Sequence, residues 1–305
     1  MVKKIVIAGG TGLIGAALAR RWRERGHEVV VLTRSEPRRR GDGIREVQWD
    51  GCTAGGWAAE LEDAAAVVNL AGASINCVHT PENRRRILET RVDSVRAIGA
   101  ALRICNQPPA VWVQGSAVGI YGHRAGPCDE STPAGQGFKP DVCKQWEAAF
   151  AAECPAAVRG VVLRIGVVFS RKGGAFPELA QVTRRFLGGS AGDGSQGVSW
   201  IQIDDVEEIF LRAVADPSMR GVYNACSPEP VSNAELMRTL RSVLGRPWAP
   251  PAPAFMIKLI APWIMGTDAS LVLQGQYAVP ARLEAEGFRF KVRTLRSALT
   301  ALASD

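Results

Sequence analysis

A short apolar run followed at once by closely spaced glycines, all within residues 5–15, constrains the fold more than any other stretch of the chain. Residues 5–7 are apolar and β-branched, which is typical of a central strand in a parallel sheet covered on both faces. The glycines that follow allow a tight turn, the close approach of an anion to the backbone, and close packing of a helix on the strand. Free amides at the start of that helix favour a phosphate group. We therefore expect a pyrophosphate to bind at this turn, against Gly9, Thr11, Gly12, Leu13, Ile14 and Gly15.

The residues after the turn complete a strand–helix–strand unit. Ile14, Leu18 and Trp22 recur at four-residue spacing and predict a helix with one buried face, while Gly26 stands where a left-handed C-terminal cap is expected. A second apolar strand is predicted at residues 29–32. Glycine spacing alone is a weak signal, and an ordinary turn that binds nothing is the alternative. The full context predicts an α/β fold, a Rossmann-type doubly wound parallel sheet with a smaller C-terminal α/β substrate lobe.

The end of the second strand indicates which dinucleotide is bound. A protein that selects NAD usually has Asp or Glu at this strand end, where it accepts hydrogen bonds from the ribose 2′-hydroxyl. Here Thr33 and Arg34 occupy that place, and a guanidinium fork suits a 2′-phosphate. We therefore expect NADP(H) to contact Thr33 and Arg34, although Glu36 lies just beyond and leaves NAD(H) as the alternative.

Two later segments are predicted to border the same cleft. A fourth strand ends in Leu70, Ala71 and Gly72, and ligands of open parallel sheets bind outside the carboxyl ends of the strands. A long helix then starts at Thr80 and Pro81, and Arg91 lies on or beside its buried stripe. Because an unpaired buried charge is costly, we expect a phosphate of the cofactor near Arg91.

Composition excludes several other classes of function. The 305 residues are 47% hydrophobic and 22% charged, with a formal charge of +7 and arginines that do not join into a stripe, so we expect no nucleic-acid partner. The seven cysteines contain no C-x-x-C pair and the three histidines do not cluster, which predicts neither a disulfide framework nor a metal site. No segment resembles a signal peptide or a membrane span, and we expect a cytoplasmic protein.

Motifs along nearly the whole chain resemble extended short-chain dehydrogenases/reductases, the pattern of sugar-nucleotide epimerases and dehydratases. The resemblance narrows to an atypical branch, the NAD(P)-dependent "epimerase family proteins" with a characteristic C-terminal domain, sometimes labelled cell-division inhibitors. It is carried by Ser-Ala-Val-Gly-x-Tyr-Gly at 116–122, Cys-x-x-Trp-Glu at 143–147, Gly-Gly-Ala at 173–175, and Leu273, Gly275, Gln276, Pro280, Gly287 and Phe288 in the tail. The resemblance implies NADP(H) at Thr33 and Arg34 and a position near the cofactor for Arg91.

The catalytic pair that the resemblance leads one to expect is missing. Hydride transfer in that superfamily relies on Tyr-x-x-x-Lys beside a serine, and no Tyr-x-x-x-Lys exists in this chain. Aligning Glu147 with the glutamate that follows the family motif puts Lys139 in the tyrosine position and Cys143 in the lysine position. Ser116 is retained at the end of the fifth strand, and Tyr121 follows in the next turn. Ser116 and Tyr121 are our catalytic candidates, while Cys143 as a thiol acid and a loss of catalysis are the alternatives.

We expect residues 1–170 to form the NADP(H)-binding Rossmann domain, with strands also contributed by about 198–226. Residues 171–305 are then mainly the substrate lobe, with the family C-terminal domain at about 247–305. Arg164 is either a ligand of the substrate or of a phosphate, or a structural ion-pair partner. The leading hypothesis is an NADP(H)-dependent oxidoreductase or epimerase that acts on a carbonyl or hydroxyl of a small molecule, and the alternative is a non-catalytic NADP(H) sensor that signals through a protein partner.

We expect the apolar side chains near the C-terminus to cover the substrate pocket or to form a homodimer face (Phe255, Ile257, Leu259, Ile260, Trp263 and Ile264).

Overall fold

The computed structural model describes residues 2–304, without the side chains of Ile264 and Met265. Its strands are β1 (Lys4–Ala8), β2 (Glu28–Thr33), β3 (Arg45–Gln48), β4 (Ala66–Asn69), β5 (Val111–Ala117), β6 (Pro127–Cys128), β7 (Arg159–Ile165), β8 (Val167–Ser170), β9 (Gly173–Gly174), β10 (Gly197–Val198), β11 (Trp200–Gln202), β12 (Gly221–Ala225), β13 (Val231–Ser232) and β14 (Tyr277–Ala278). Its α-helices are α1 (Leu13–Glu24), α2 (Pro81–Ile104), α3 (Phe138–Glu153), α4 (Ala175–Arg184), α5 (Ile203–Ala215), α6 (Asn233–Val243), α7 (Ala254–Ile260), α8 (Ser270–Leu273), α9 (Ala281–Ala285) and α10 (Leu295–Ala303). Short 3₁₀ segments lie at Gly56–Leu61 and Val118–Tyr121, and a π-helical turn at Ala261–Met265.

Seven parallel strands form the main sheet, in the order β3-β2-β1-β4-β5-β7-β12. The chain winds outward from β1 in both directions, so the order reverses between β1 and β4. Ligands of such sheets bind outside the carboxyl ends of the strands at this switch point. The predicted Rossmann-type doubly wound sheet is therefore confirmed, and the glycine turn after β1 lies at its switch point.

The main sheet is covered by helices on both faces. Ile5 and Ile7 of β1 pack in one apolar layer with α1 and α5, whereas Val6 and Ala8 pack in the opposite layer with α2 and α3. Successive side chains of a strand point to opposite faces, and here both faces are buried. This is why β1 has a continuous apolar run in the sequence instead of an alternating one.

The second half of the chain adds a smaller unit. β8, β9 and β11 form a three-stranded sheet, and α4, α6 and α10 pack around a core that contains Phe169 and Trp200. Of the region at about 198–226, β12 joins the main sheet and β11 pairs with β8. The tail returns to the first half of the chain, since β14 pairs with β6.

Two helix starts are important for the site. Thr80 caps α2, and its hydroxyl accepts a hydrogen bond from the Asn83 amide at 3.2 Å, as the Thr-Pro pair predicts. α3 begins at Phe138. Gly137, at a φ of +103°, precedes it without a side-chain cap, so the sequence lacks the capping signal that would have marked the start. Lys139 consequently lies in the first turn of α3.

Candidate functional site

The glycine turn is held against the neighbouring strand by backbone contacts. Gly9 has a φ of +79°, and a Cβ atom there would lie 2.6 Å from the carbonyl carbon of Leu70. A Cβ atom on Gly15 would collide with the carbonyl oxygen of Gly9. The Gly12 amide donates to Gly9 O at 3.1 Å and closes the turn. The turn therefore requires glycine at positions 9 and 15 for steric reasons within the fold itself.

The start of α1 leaves backbone donors free. The Ala16 amide donates to Gly12 O at 2.8 Å, so the amides of Leu13, Ile14 and Gly15 precede the first hydrogen bond within the helix. Gly12 is the N-cap and provides no side-chain acceptor. Thr11 and Gly12 are exposed at the turn. A narrow backbone cradle with several free N–H groups and the positive end of a helix dipole fits a pyrophosphate.

The end of β2 has one arginine without a carboxylate partner. Within residues 2–304, no carboxylate oxygen lies within 4.0 Å of the exposed Arg34 guanidinium, whereas Arg40 is paired with Asp42 at 2.6 Å and with Glu46 at 3.5 Å. Thr33 is buried, and its hydroxyl accepts from the Ser35 amide at 3.2 Å. In the described part of the chain, Arg38 and Arg40 are thus paired with carboxylates, whereas Arg34 and Arg39 are not. The free guanidinium of Arg34 fits a 2′-phosphate.

The turn after β4 forms the opposite wall of the cleft. The Leu70 amide donates to Ala8 O at 2.9 Å, and the Ala71 amide donates to the side-chain oxygen of Asn69 at 3.0 Å. Gly72 lies against Arg91, because a Cβ atom on this glycine would be 3.0 Å from the guanidinium carbon. The structure thus brings together the predicted cofactor residues from β1, β4 and α2.

Arg91 is largely buried and has no carboxylate within 4.0 Å in the described part of the chain. Its Nη1 donates to the carbonyls of Ala73 and Ile87, each at 2.9 Å, and the guanidinium lies 5.1 Å from the Trp146 ring centre. Burial lowers the pKa of Arg91. The side chain is thus held by neutral groups while its charge is unbalanced, and a phosphate as its counter-ion stays a prediction.

The predicted catalytic residues lie in a polar network buried at the ends of β5 and β7. Ser116 Oγ donates to Glu147 Oε1 at 2.6 Å. Arg164 donates to both oxygens of Glu147, from Nε at 2.9 Å and from Nη2 at 2.8 Å. Arg164 Nη1 also donates to the Tyr121 hydroxyl at 3.0 Å, and this hydroxyl donates to Asn224 Oδ1 at 2.8 Å. Each of these side chains is the partner of another.

The network defines what these groups can do. Tyr121 is 1% exposed, and burial raises its pKa to about 12, so the hydroxyl keeps its proton and gives its hydrogen bond to Asn224. Arg164, for which two roles were open, is an ion-pair partner of Glu147. Cys143 is a buried thiol whose pKa is raised to about 11 by burial, which agrees with its interpretation as a small core residue.

One face of α3 runs along the end of β5. Glu147 binds Ser116, Cys143 Sγ lies 3.7 Å from Ala117 O, and Lys139 lies beside Gly119, where an added Cβ would be 3.7 Å from the Lys139 Cβ. Lys144 faces away and pairs with Asp141 at 2.8 Å. The motif alignment, which put Lys139 in the tyrosine position, indicated that this residue could belong to the site. That Lys139 lies at a cavity is shown only by the fold.

Lys139 forms part of the wall of a cavity of 570 Å³ between the start of α2, the start of α3 and the C-terminal segment. Arg84 and Arg124 also line it. The sequence did not reveal this pair, because Arg84 lies in a helix and Arg124 in a distant loop; the basic run at 84–86 was the one available signal.

In residues 2–304, no group of three His, Cys, Asp or Glu side chains is arranged to hold a metal ion. No helix in the described part of the chain is both long and apolar enough to cross a bilayer.

The sheet, the glycine turn at its switch point and the free donors define a dinucleotide-binding protein of the Rossmann class. The chain belongs to the NAD dependent epimerase/dehydratase family, whose model matches residues 5–226, and a domain of unknown function, DUF1731, matches residues 252–302. The resemblance inferred from the motifs is therefore confirmed.

Similar proteins cover almost the whole chain. It is 35% identical over 314 residues to the chloroplastic epimerase family protein SDR39U1 homolog of Arabidopsis thaliana, a match that covers 98% of this chain and 86% of the relative. It is 32% identical over 303 residues to human epimerase family protein SDR39U1, with 97% and 98% covered. A crystal structure of human SDR39U1 (isoform2) with NADPH matches with a TM-score of 0.87 at 32% identity, covering 98% of this chain and 99% of that one.

Proposed function

We propose that this protein binds NADP(H). The observation that carries the proposal is the run of free amides at the start of α1, at the switch point of the sheet. The unpaired Arg34 supports the phosphorylated form of the dinucleotide, and the human relative crystallised with NADPH supports it independently. The residues proposed to hold the cofactor are Gly9, Thr11, Gly12, Leu13, Ile14, Gly15, Thr33, Arg34, Leu70, Ala71, Gly72 and Arg91.

We propose further that the protein is an oxidoreductase or epimerase acting on a carbonyl or hydroxyl of a small molecule in the 570 Å³ cavity. The cofactor, when bound, supplies or accepts a hydride. Ser116 is our proposed substrate-orienting group, and Glu147 fixes the direction of its hydroxyl. Tyr121 acts on Ser116 only indirectly, because its hydroxyl contacts Arg164, and Arg164 in turn holds Glu147 in place. We therefore assign Tyr121 a positioning role instead of proton transfer.

Binding and turnover are tested separately on the full-length protein. Titration with NADPH and NADH, followed by ligand fluorescence, measures cofactor affinity and preference. Oxidation of NADPH is then followed with a panel of quinones, aldehydes and keto-sugars, with Ser116→Ala as the comparison. We expect tighter binding of NADPH than of NADH and a turnover that Ser116→Ala reduces. Failure to bind NADPH, or a clear preference for NADH, would overturn the proposal.

A second candidate function is a non-catalytic NADP(H) sensor that signals through a protein partner. It is favoured by one specific observation: the hydroxyls of Ser116 and Tyr121 both donate to acceptors inside the protein. Submicromolar NADPH binding without turnover on any member of the panel would favour it over the enzyme. Affinity capture with and without NADPH would then have to yield a partner whose binding depends on the nucleotide.

We also propose a homodimer and a cytoplasmic location. Phe255, Leu259 and Trp263 are exposed by 71%, 68% and 87%, and such side chains commonly mark an interface. Sedimentation of the protein and of Leu259→Ser tests the dimer, which the serine should weaken. All seven cysteines are free thiols, as in a reducing compartment.

We propose to divide the chain as the sequence suggested. Residues 1–170, with strands from about 198–226, would form the cofactor domain. Residues 171–305 would form mainly the substrate lobe, with the family C-terminal domain at about 247–305. Phe169 and Trp200 pack in a core apart from the main sheet, which supports a boundary close to 170 and favours β12, instead of β11, as the strand that 198–226 contributes to the cofactor domain. Limited proteolysis that cleaves first near 170 or near 247 would support this division, and early cleavage inside β1–β5 would contradict it.

A further inference from the structure

The 570 Å³ cavity is formed by segments that are far apart in the sequence. Arg84 comes from the second turn of α2, Arg124 from the loop after the 3₁₀ segment at 118–121, and Lys139 from the first turn of α3. Asp268 and Ser270 come from the C-terminal domain and form the far side. The cavity therefore lies where the cofactor domain and the C-terminal domain meet, which is a common place for a small-molecule site.

The cavity wall has an excess of positive charge. Arg84, Arg124 and Lys139 line it, and Asp268 is the one carboxylate among its described lining residues. Within residues 2–304, no carboxylate oxygen lies within 4.0 Å of any of these three cations. Asp268 is already engaged, because it accepts from the Ser270 amide at 3.0 Å and lies 3.8 Å from the His79 ring nitrogen. Three cations therefore face one cavity whose described lining holds a single carboxylate, Asp268, which lies beyond ion-pair distance of each of them.

Neutral groups hold two of these cations in place. Arg84 Nε donates to His79 O at 3.0 Å, and its guanidinium lies 5.0 Å from the Phe138 ring centre. Lys139 Nζ donates to Ser270 O at 3.4 Å. These contacts leave Nη1 and Nη2 of Arg84 and the charge of Lys139 available. Burial lowers the pKa of Lys139, so an anion at this place would stabilise its ammonium form.

The backbone adds donors to the same wall. α3 is a helix of 16 residues, and its N-cap Gly137 and first residue Phe138 line the cavity. Gly137 provides no side-chain acceptor, so the first amides of α3 lack a capping partner from that side chain. The positive end of the helix dipole thus points toward the same space as the three cations.

We propose that this cavity binds the anionic group, a phosphate or a carboxylate, of the substrate. The proposal rests on the proposed function, because it names the class of molecule on which the NADP(H)-dependent protein would act. Its chemical meaning is specific: the substrate has its carbonyl or hydroxyl toward the end of β5 and its negative charge between Arg84, Arg124 and Lys139. A neutral aldehyde or sugar of the same size would leave the partly buried Lys139 unpaired, and an unpaired buried charge is costly.

The experiment compares matched charged and neutral ligands on the full-length protein saturated with NADP⁺. Isothermal titration calorimetry is performed with inorganic phosphate, with glyceraldehyde 3-phosphate against glyceraldehyde, and with succinic semialdehyde against butanal. The phosphate and carboxylate pairs distinguish the two anions. We expect each charged member to bind about tenfold or more tightly than its neutral partner, since hydrogen bonds to charged groups are strong.

Variants locate the effect. Arg84→Gln, Arg124→Gln and Lys139→Met should each weaken binding of the charged ligand about tenfold. Arg86→Gln is the matched control, because this exposed arginine lies on the same helix and outside the cavity. Because Arg84 is exposed, we expect Arg84→Gln to fold normally. This variant therefore still tests the cavity if Lys139→Met fails to fold. Circular dichroism of each variant verifies the fold.

Three outcomes would overturn the proposal. Equal affinity for charged and neutral partners, no binding of any charged ligand, and equal losses in Arg86→Gln and Arg84→Gln each contradict it. Titration with NADPH is performed on the same samples. If NADPH binds while the charged ligands show no advantage, this inference fails and the proposed cofactor function stands; if NADPH does not bind, the proposed function fails.

Discussion

The two ends of the cleft are built in opposite ways. At the nucleotide end, the amides of Leu13, Ile14 and Gly15 and the guanidinium of Arg34 have no acceptor within the turn or at the strand end. At the catalytic end, one chain of hydrogen bonds links Ser116, Glu147, Arg164, Tyr121 and Asn224 in that order. One end has donors in excess, and the other is internally satisfied.

This difference explains why binding is easier to infer than chemistry. Unpaired backbone donors in a fixed cradle are typical of a phosphate-binding turn. A closed network instead rigidifies the fold, so the same residue types that suggest catalysis also have a structural explanation. Variants at the two ends distinguish a mainly structural role at the catalytic end from a binding role at the nucleotide end.

The largest expected effect is on stability at the catalytic end. Glu147→Ala leaves Arg164, a largely buried guanidinium, without its ion-pair partner, and breaking such a pair costs about 3–5 kcal/mol of unfolding free energy. Urea denaturation measures it. The control is Glu153→Ala on the same helix, which breaks a more exposed pair with Arg103 and should cost about 1 kcal/mol or less. Equal losses in the two variants would show that the network is not specially stabilising.

At the nucleotide end, the expected effect is on binding. Arg34→Ala should weaken NADPH binding by about 1.5–3 kcal/mol, roughly tenfold to a hundredfold, because one charge-assisted contact to the 2′-phosphate is lost. Binding of NADH should be unchanged. Arg39→Ala, which removes a neighbouring exposed arginine, is the matched control for general charge. A parallel loss for NADPH and NADH would contradict the assignment of Arg34.

Tyr121→Phe sharpens the distinction between positioning and proton transfer. The change leaves Asn224 Oδ1 and Arg164 Nη1 each without one partner and should cost about 1–3 kcal/mol. The raised pKa of Tyr121, about 12, gives a second readout. Its stabilising contribution is complete below the unfolded-state pKa of about 10 and is lost as the pH rises through about 12.

Thermal unfolding of the wild type and of Tyr121→Phe across that alkaline range measures the effect of the hydroxyl. The wild type should lose stability more steeply than the variant. Identical pH profiles would show that the hydroxyl is not coupled to folding, and the positioning role would then be wrong.

Ser116→Ala should have the smallest effect on stability. Glu147 keeps both of its hydrogen bonds to Arg164, so the loss of the serine hydroxyl should cost about 0.5–1.5 kcal/mol. If Ser116 orients the substrate, turnover should fall far more than this modest change in stability would cause. A variant with full turnover would remove Ser116 from the proposed catalytic machinery.

Much of the fold could be predicted because it depends on local patterns. The apolar run of β1, the positive-φ position of Gly26 and the Thr-Pro start of α2 each act within a few residues. The start of α3 could not be predicted, because Gly137 provides no capping side chain and the helix is positioned by packing. The free Arg34 could be expected from its strand end, but the pairing of Arg40 with Asp42 and Glu46 required the loop conformation.

The sequence by itself determined the doubly wound sheet and the glycine turn after β1, because glycine sterics and hydrophobic periodicity are short-range. Only the tertiary structure decided which charges are paired. Arg164 and Glu147 are 17 residues apart, and Tyr121 and Asn224 are 103 apart. Their meeting depends on the strand order β5-β7-β12. The cavity lined by Arg84, Arg124 and Lys139 also depends on tertiary structure, because these residues belong to separate elements and come together only when the chain folds.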